Sequence, residues 1–398
     1  VSEALDDLPA VAASRGLHVT RPVVSRGWRA GIIMGFASFI LFTLGGHRLA
    51  EHDYAPLSVL TVWDTTRFFP AIGGQWAQVG LVWLIKQIPG SSVATLSVVT
   101  VLSASVVQGF VTHDLVKRGW TPLQAGLMVG LTAMHPVMLF IATDGSPLLM
   151  YCILVSVLII ALDRLEAIGD TQSLILLGLV IAALLVSWPN ALFFVLPFIV
   201  LLPWAFRDLR NYNSATALFV ISLAPGFIVL SAVALGSSVF DVPFRDLLIV
   251  WGSPLHGADV SVVQASTWLP SYGGHFFAAF LELALLCSLL MPRCLVILVR
   301  FVFDRSERVR PVTGLAALIL PPLMGALATF YWQIASPWIV IALSLFTVTA
   351  WAATVNFRNW ERWLLVLSVA VGLSAAWLSP LLWSSPEEAL WRQLMVGI

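Results

Sequence analysis

Arg and Lys collect on alternate connections between long apolar runs, and this sorting limits what the chain can fold into. The basic clusters are Arg15/Arg21/Arg26/Arg29, Lys117/Arg118, Arg207/Arg210, Arg293/Arg300/Arg305/Arg308/Arg310 and Arg358/Arg362. The intervening connections hold few cations and several acids. A membrane-spanning helix needs about 20 apolar residues, and cytoplasmic loops of membrane proteins carry the Lys/Arg excess. The pattern therefore predicts an all-α polytopic membrane protein and yields a topology before a function. Hydrophobic residues at 59% and charged residues at 11% exclude an ordinary soluble domain. A formal net charge of zero removes the electrostatic case for a nucleic-acid partner.

Spans are expected at residues 29–46, 91–112, 121–142, 147–163, 173–188, 190–206, 214–236, 275–302, 311–333, 336–355 and 362–382, about 11 in all. Residues 77–88 are too short to span and carry Lys86, so an interfacial or re-entrant segment is expected there. Trp188-Pro189-Asn190 splits two short apolar stretches. Proline cannot continue the backbone ladder, so the split reads as a sharp turn. With that turn, Lys117/Arg118, Arg164, Arg207/Arg210, Arg305/Arg308/Arg310 and Arg358/Arg362 fall on one side, and only Arg48, Arg67, Lys86, Arg245 and Arg392 fall on the other. Without it, every later basic loop would be inverted. The expected organisation is a cytoplasmic segment 1–28, a transmembrane domain 29–382 with external loops 47–78 and 236–274, and an external tail 383–398. Residues 1–14 are mildly acidic and lack an apolar core, so no cleavable signal peptide is expected. The setting that fits is a bacterial inner membrane, with the N-terminus cytoplasmic and the C-terminus external. Many of the 17 Trp lie at the ends of apolar runs, as interfacial belts do. Cys152, Cys287 and Cys294 sit in or beside apolar runs without a Cys-x-x-Cys spacing, and read as small buried residues.

Chemistry concentrates in the external connections. The first, GGHRLAEHDYAPLSVLTVWDTTRFFPAIGGQW, gathers His47, Arg48, Glu51, His52, Asp53, Asp64 and Arg67. A carboxylate there can serve as a general base or bind a divalent metal. Arg and Lys can hold a lipid-linked phosphate. His47, Glu51, His52 and Asp53 have helical spacing, so His52 and Asp53 are candidate metal ligands. A solvated loop with an amphipathic interfacial helix explains the same residues. The second long connection mixes Asp241, Arg245, Asp246, His256, Asp259, Trp268 and Tyr272. Such a mixture suits sugar stacking or a lipid headgroup, and suits a protein contact equally well. Inside the spans, His135 and Glu282 are the ionisable residues that stand out. An intramembrane charge is costly and is a functional hypothesis by default, although a hydrogen-bonded packing role serves each of them.

Trp63-Asp64, then Phe68, then Ile72, resembles the Trp-Asp…Tyr/Phe…Ile pattern in the first external loop of GT-C superfamily glycosyltransferases, such as the dolichol-phosphate-mannose-dependent GPI mannosyltransferases. The stretch HPVMLFIATDGSPLLMYCILVSVLIIALDRL (135–165) is similar to another of their features. There a Pro-bearing span precedes a short acidic turn and a span ending in a basic residue. Residues 176–204 are similar to the family's pair of short helices around a polar, Pro-containing break. The resemblance covers roughly residues 30–206. It implies a catalytic acid at Asp64, with Asp53 as rival and Asp144 nearby. It further implies a polyprenyl-phosphate sugar donor and a divalent metal such as Mg or Mn. Arg48, Arg67, Lys86 or Arg245 would then neutralise the leaving phosphate, and His256 and Trp268 would line the acceptor side. The chain departs from the family in lacking His-Pro-Asp-Glu and Asp-x-Asp motifs, and in having Trp188-Pro189-Asn190 where an Arg is common. Two other readings stay open. One is a non-catalytic membrane subunit that scaffolds a larger membrane complex. The other is a transporter or flippase, against which the lack of an evident internal repeat weighs.

Overall fold

The computed structural model describes residues 22–51, 76–143, 148–169, 171–187, 191–205, 276–293, 311–332, 337–355 and 357–379, with Gly145, Gln393 and parts of 225–238 and 295–299. Every regular element among the described residues is a helix. In chain order they are α1 (Pro22–Glu51), α2 (Trp76–Lys86), α3 (Val93–Lys117), α4 (Pro122–Ala133), α5 (Pro136–Thr143) and α6 (Leu148–Ile168). They continue with α7 (Thr171–Ser187), α8 (Leu192–Ala205), α9 (Phe276–Leu290), α10 (Pro311–Trp332), α11 (Pro337–Thr354) and α12 (Asn359–Leu378). Stretches of α1, α3, α6 and α12 are long and apolar enough to cross a membrane, and α4 and α5 together make a fifth, bent span. Their outward faces are apolar: on α1, Ile33 is 69% and Phe36 65% exposed. Such faces suit hydrocarbon rather than water.

α3 and α6 each run five residues past their expected ends, to Lys117 and Ile168, and three further differences have a local reason. The first helix starts at Pro22 and runs through Glu51, past the expected limits of 29 and 46. Apolarity sets how much of a helix lies in lipid, but the backbone ladder continues as long as donors and acceptors last. The span expected at 121–142 is two helices bent by 70° at Met134-His135-Pro136. Pro136 has no N–H and disfavours helical geometry at His135, so the ladder stops. The span expected at 275–302 is interrupted at Met291-Pro292 for the same reason.

Sequence chemistry explains other ends. α3 closes with a Schellman turn: Gly119, at φ +86°, donates to Val116 O at 3.0 Å, and Trp120 donates to Leu115 O at 3.1 Å. α4 opens with a reciprocal cap, in which Gln124 N donates to Thr121 Oγ1 and Thr121 N donates to Gln124 Oε1, each at 3.2 Å. Pro122 occupies the first helical position, where its missing N–H costs nothing.

α1 and α3 form the most extensive helix pair, and their seam is made of small residues. Gly27, Gly31 and Gly35 face His113, Gly109 and Ser105 in antiparallel register. A Cβ on Gly31 would lie 2.7 Å from Gly109 O, and one on Gly109 would lie 2.9 Å from Gly31 O. In lipid, where apolar burial drives little association, such close backbone approach supplies the attraction. The bundle centre is α11, buried without interruption from Val340 to Val348. It packs on α6 and α10, and Thr347 Oγ1 donates to Ala317 O at 2.8 Å. On its α9 side, Cys287 Sγ and Ser344 Oγ are 3.3 Å apart.

Candidate functional site

The helix pairings fix which charged residues share an end of the bundle. Arg26 and Arg29 lie beside the α3 C-terminus, because Gly27 meets His113. Arg118 Nη1 reaches Thr354 O at 3.5 Å, which brings the end of α11 to the same level. Arg362 Nε donates to Phe357 O at 3.0 Å and Nη1 donates to Gly119 O, so the start of α12 joins them. α10 and α11 are antiparallel, since Ala317 pairs with Thr347 and Gly325 abuts Val340. The α10 N-terminus therefore lies at this end too. It is capped there by Glu166, whose carboxylate accepts from Val312 N at 3.2 Å, Thr313 N at 3.1 Å and Thr313 Oγ1 at 2.7 Å. Carboxylates are favoured at helix N-termini. Of the described Lys and Arg side chains, Arg26, Arg29, Lys117, Arg118, Arg164, Arg358 and Arg362 sit at this end. Arg48 and Lys86 sit at the other: Arg48 closes α1, and Lys86 lies just before the start of α3.

Arg48 and Lys86, two of the residues expected to meet a phosphate, thus lie at the end away from the cationic clusters. Arg48 is exposed and Lys86 half-buried. His47 and Glu51 are one turn apart on α1, as the helical spacing required. Asp53, Asp64, Asp144, Arg67, Arg245, His256, Trp268 and His52 lie outside the described residues. Among the described residues no group of three or more His, Cys, Asp or Glu is arranged to hold a metal.

Between the two ends lies a charged residue that the sequence groups with a basic cluster although it falls inside the span expected at 275–302. Arg293 is 1% exposed. Its Nη2 donates to Leu345 O at 2.9 Å and its Nη1 donates to Thr132 Oγ1 at 3.3 Å, while the Thr132 hydroxyl donates onward to Met128 O at 2.8 Å. Thr132 is about 15 Å along α4 from its start, and Leu345 about 13 Å back along α11 from its end, at 1.5 Å per residue. Both distances, with 1% exposure, put the guanidinium well inside the bundle, at mid-depth between its two ends. It also lies where both α4 and α9 have stopped, beside the negative dipole end of α4. His135, 3% exposed, lies at the same break. Trp377 Nε1 of α12 donates to Met134 O at 3.2 Å, satisfying a carbonyl that the break releases. Arg293, Thr132, His135, Met291, Leu345 and Gly372 line a cavity of about 10 Å³, room for one water at most. As described, the centre braces two interrupted helices against α11 and holds a permanent positive charge at mid-depth. The signal for it was present in the sequence: Arg293 falls within the span expected at 275–302.

Glu282, the other intramembrane acid singled out, is half-buried on α9, and its Oε2 is enclosed without a hydrogen-bond partner among the described residues. No family model matches the chain, and neither a curated protein nor a solved structure matches it.

Proposed function

We propose that this chain is a polytopic inner-membrane glycosyltransferase of GT-C type that takes its sugar from a polyprenyl-phosphate donor at the external face. In this reading the chain crosses the membrane eleven times, and the cation-rich end is cytoplasmic by the charge rule. The observation that carries it is the pattern Trp63-Asp64…Phe68…Ile72 in the connection that leaves α1 from the end remote from the cations. The order of the separate helices α5, α6, α7 and α8 also supports the resemblance over residues 135–206. Asp64, or Asp53 in its stead, removes the acceptor hydroxyl proton, and Asp144 borders the site. The departing phosphate is neutralised by Arg48, Arg67, Lys86 or Arg245. Asp53 and His52 are the residues for a divalent ion if one takes part. The test is transfer from a panel of polyprenyl-phosphate hexoses by the purified chain in lipid. Asp64→Asn is expected to abolish transfer while leaving the thermal unfolding midpoint unchanged. Undiminished transfer by that variant sinks the assignment of the base.

A second reading is favoured by one specific feature, Trp188 at the break where the family commonly carries Arg. It makes the chain a non-catalytic member of a membrane complex, with the external connections as contact surfaces. Purification in mild detergent separates the two readings. A stoichiometric set of other membrane subunits, together with indifference to Asp64→Asn, is its expected outcome.

A further inference from the structure

We propose that the junction of the 117–121 turn with the start of α12 is a binding site for one anionic phospholipid, at the end of the bundle opposite the proposed transfer site. The junction is prebuilt. Arg362 is committed to Gly119 O and Phe357 O, and its guanidinium lies 5.7 Å from the centre of the Trp120 ring. Arg118 is paired with Asp114 at 2.7 Å, and Gln124 Nε2 donates to Asn359 Oδ1 at 2.8 Å. These bonds join two segments about 240 residues apart in the chain into one rigid rim.

The rim carries more positive charge than its own acids consume. Lys117, Arg118, Arg358 and Arg362 face Asp114 and Glu361, which leaves a net charge of +2. Both acids are engaged, Asp114 by Arg118 and Glu361 by the backbone N–H of Arg358 at 2.6 Å. Lys117 and Arg358 are exposed. α4 and α12 both begin here while α3 and α11 end here, so the helix dipoles roughly cancel and the side chains set the field. A phosphodiester matches that field, and basic clusters at the cytoplasmic ends of spans bind anionic headgroups.

The surface below the rim says that the phosphate belongs to a lipid. Trp360 is 62% and Trp363 43% exposed in the first turns of α12, the depth at which Trp favours the headgroup boundary. From Trp360 an exposed apolar stripe continues through Leu364, Leu367 and Val371, at helical spacing along one face. α4, which packs beside α12, exposes Leu123 and Leu127 one turn apart. A charged rim followed by aromatic and then aliphatic surface has the polarity profile of one phospholipid, headgroup to tails.

The test is competition between phosphatidylglycerol and phosphatidylcholine for the full chain released from mixed micelles, with bound lipid counted by native mass spectrometry. The wild-type chain is expected to retain phosphatidylglycerol preferentially. Lys117→Gln with Arg358→Gln is expected to lower that preference about ten- to thirty-fold, as for two removed surface cations. Lys117→Arg with Arg358→Lys should keep it. Arg164→Gln, at the same end but on α6, serves as the control for general charge and should leave it unchanged. Equal retention of the two lipids by the wild type, an unaffected glutamine variant, or an equal loss in Arg164→Gln would each overturn the site. None of these outcomes depends on whether the chain transfers sugar.

Discussion

Arg293 and Arg362 are both arginines on interrupted or newly started helices, and both donate to backbone carbonyls. Arg362 does so at the rim, half-exposed, beside the Trp120 ring. Arg293 does so at mid-depth, 1% exposed, against a hydroxyl and a carbonyl. The difference is in what water can repair. At the rim a lost contact is replaced by water at little cost. In the interior the alternative is a buried polar group without a partner, so the geometry around Arg293 has to be held by the fold.

The comparison is tested most strongly at Arg293 itself. Arg293→Ala removes a fully buried side chain and its bonds to Thr132 and Leu345, and is expected to cost about 3 kcal/mol through the lost contacts and the cavity. The thermal unfolding midpoint in mild detergent reads this directly. Arg362→Ala, measured alongside, is expected to cost about 1 kcal/mol. A ratio near one would mean that mid-depth burial confers no special dependence. Arg293→Met keeps volume without charge and sharpens the comparison. If packing alone matters it should recover most of the loss; if the α4 carbonyl end needs the cation it should not.

A second contrast, between the glycine seam and the caps, gives intermediate effects. Gly31→Leu drives a side chain into Gly109 O on a facing backbone that cannot swing aside, at a cost of about 2 kcal/mol. Gly46→Leu, on the same helix, has nothing within 4 Å of the added Cβ and is expected to be neutral. Leu favours a helix more than Gly does, so loss of stability in both would mean that the cost does not arise at the seam.

How much of this was legible beforehand differs between elements. The end of α7 at Ser187, the start of α8 at Leu192, the shortness of α2 and, within a few residues, the limits of α10, α11 and α12 follow from apolar length and Pro position, both properties of local sequence. The sorting of cations was also legible, because charge is excluded from lipid wherever no partner exists. The 70° bend at His135-Pro136 was not legible, since Pro inside a span is tolerated when neighbours re-satisfy the freed groups, and that depends on Trp377 far along the chain. Arg293, inside the span expected at 275–302, was not singled out as an interior charge for a related reason. A basic residue near other basic residues reads as a loop residue until the partners that bury it, Thr132 and Leu345, are known. Of the residues selected for chemistry, Arg48 and Lys86 fall at the expected end, and Asp64 lies outside the described residues.

The smallest expected effect concerns Glu166, which joins the end of α6 to the start of α10 across about 146 residues. Glu166→Gln keeps an acceptor for one N–H but loses the charge at the helix N-terminus and the second acceptor oxygen, so about 1 kcal/mol is expected. Thr313→Val removes only the hydroxyl that donates at 2.7 Å and leaves both backbone donors in place. It should cost less, by about half. The double variant decides whether the two act as one cap. If Glu166 works through Thr313, the double variant should be no worse than Glu166→Gln alone, and the two costs will not add. Additive losses would separate the carboxylate from the hydroxyl. The rim would then resemble a collection of independent surface contacts, and the distinction from the braced interior at Arg293 would become sharper still.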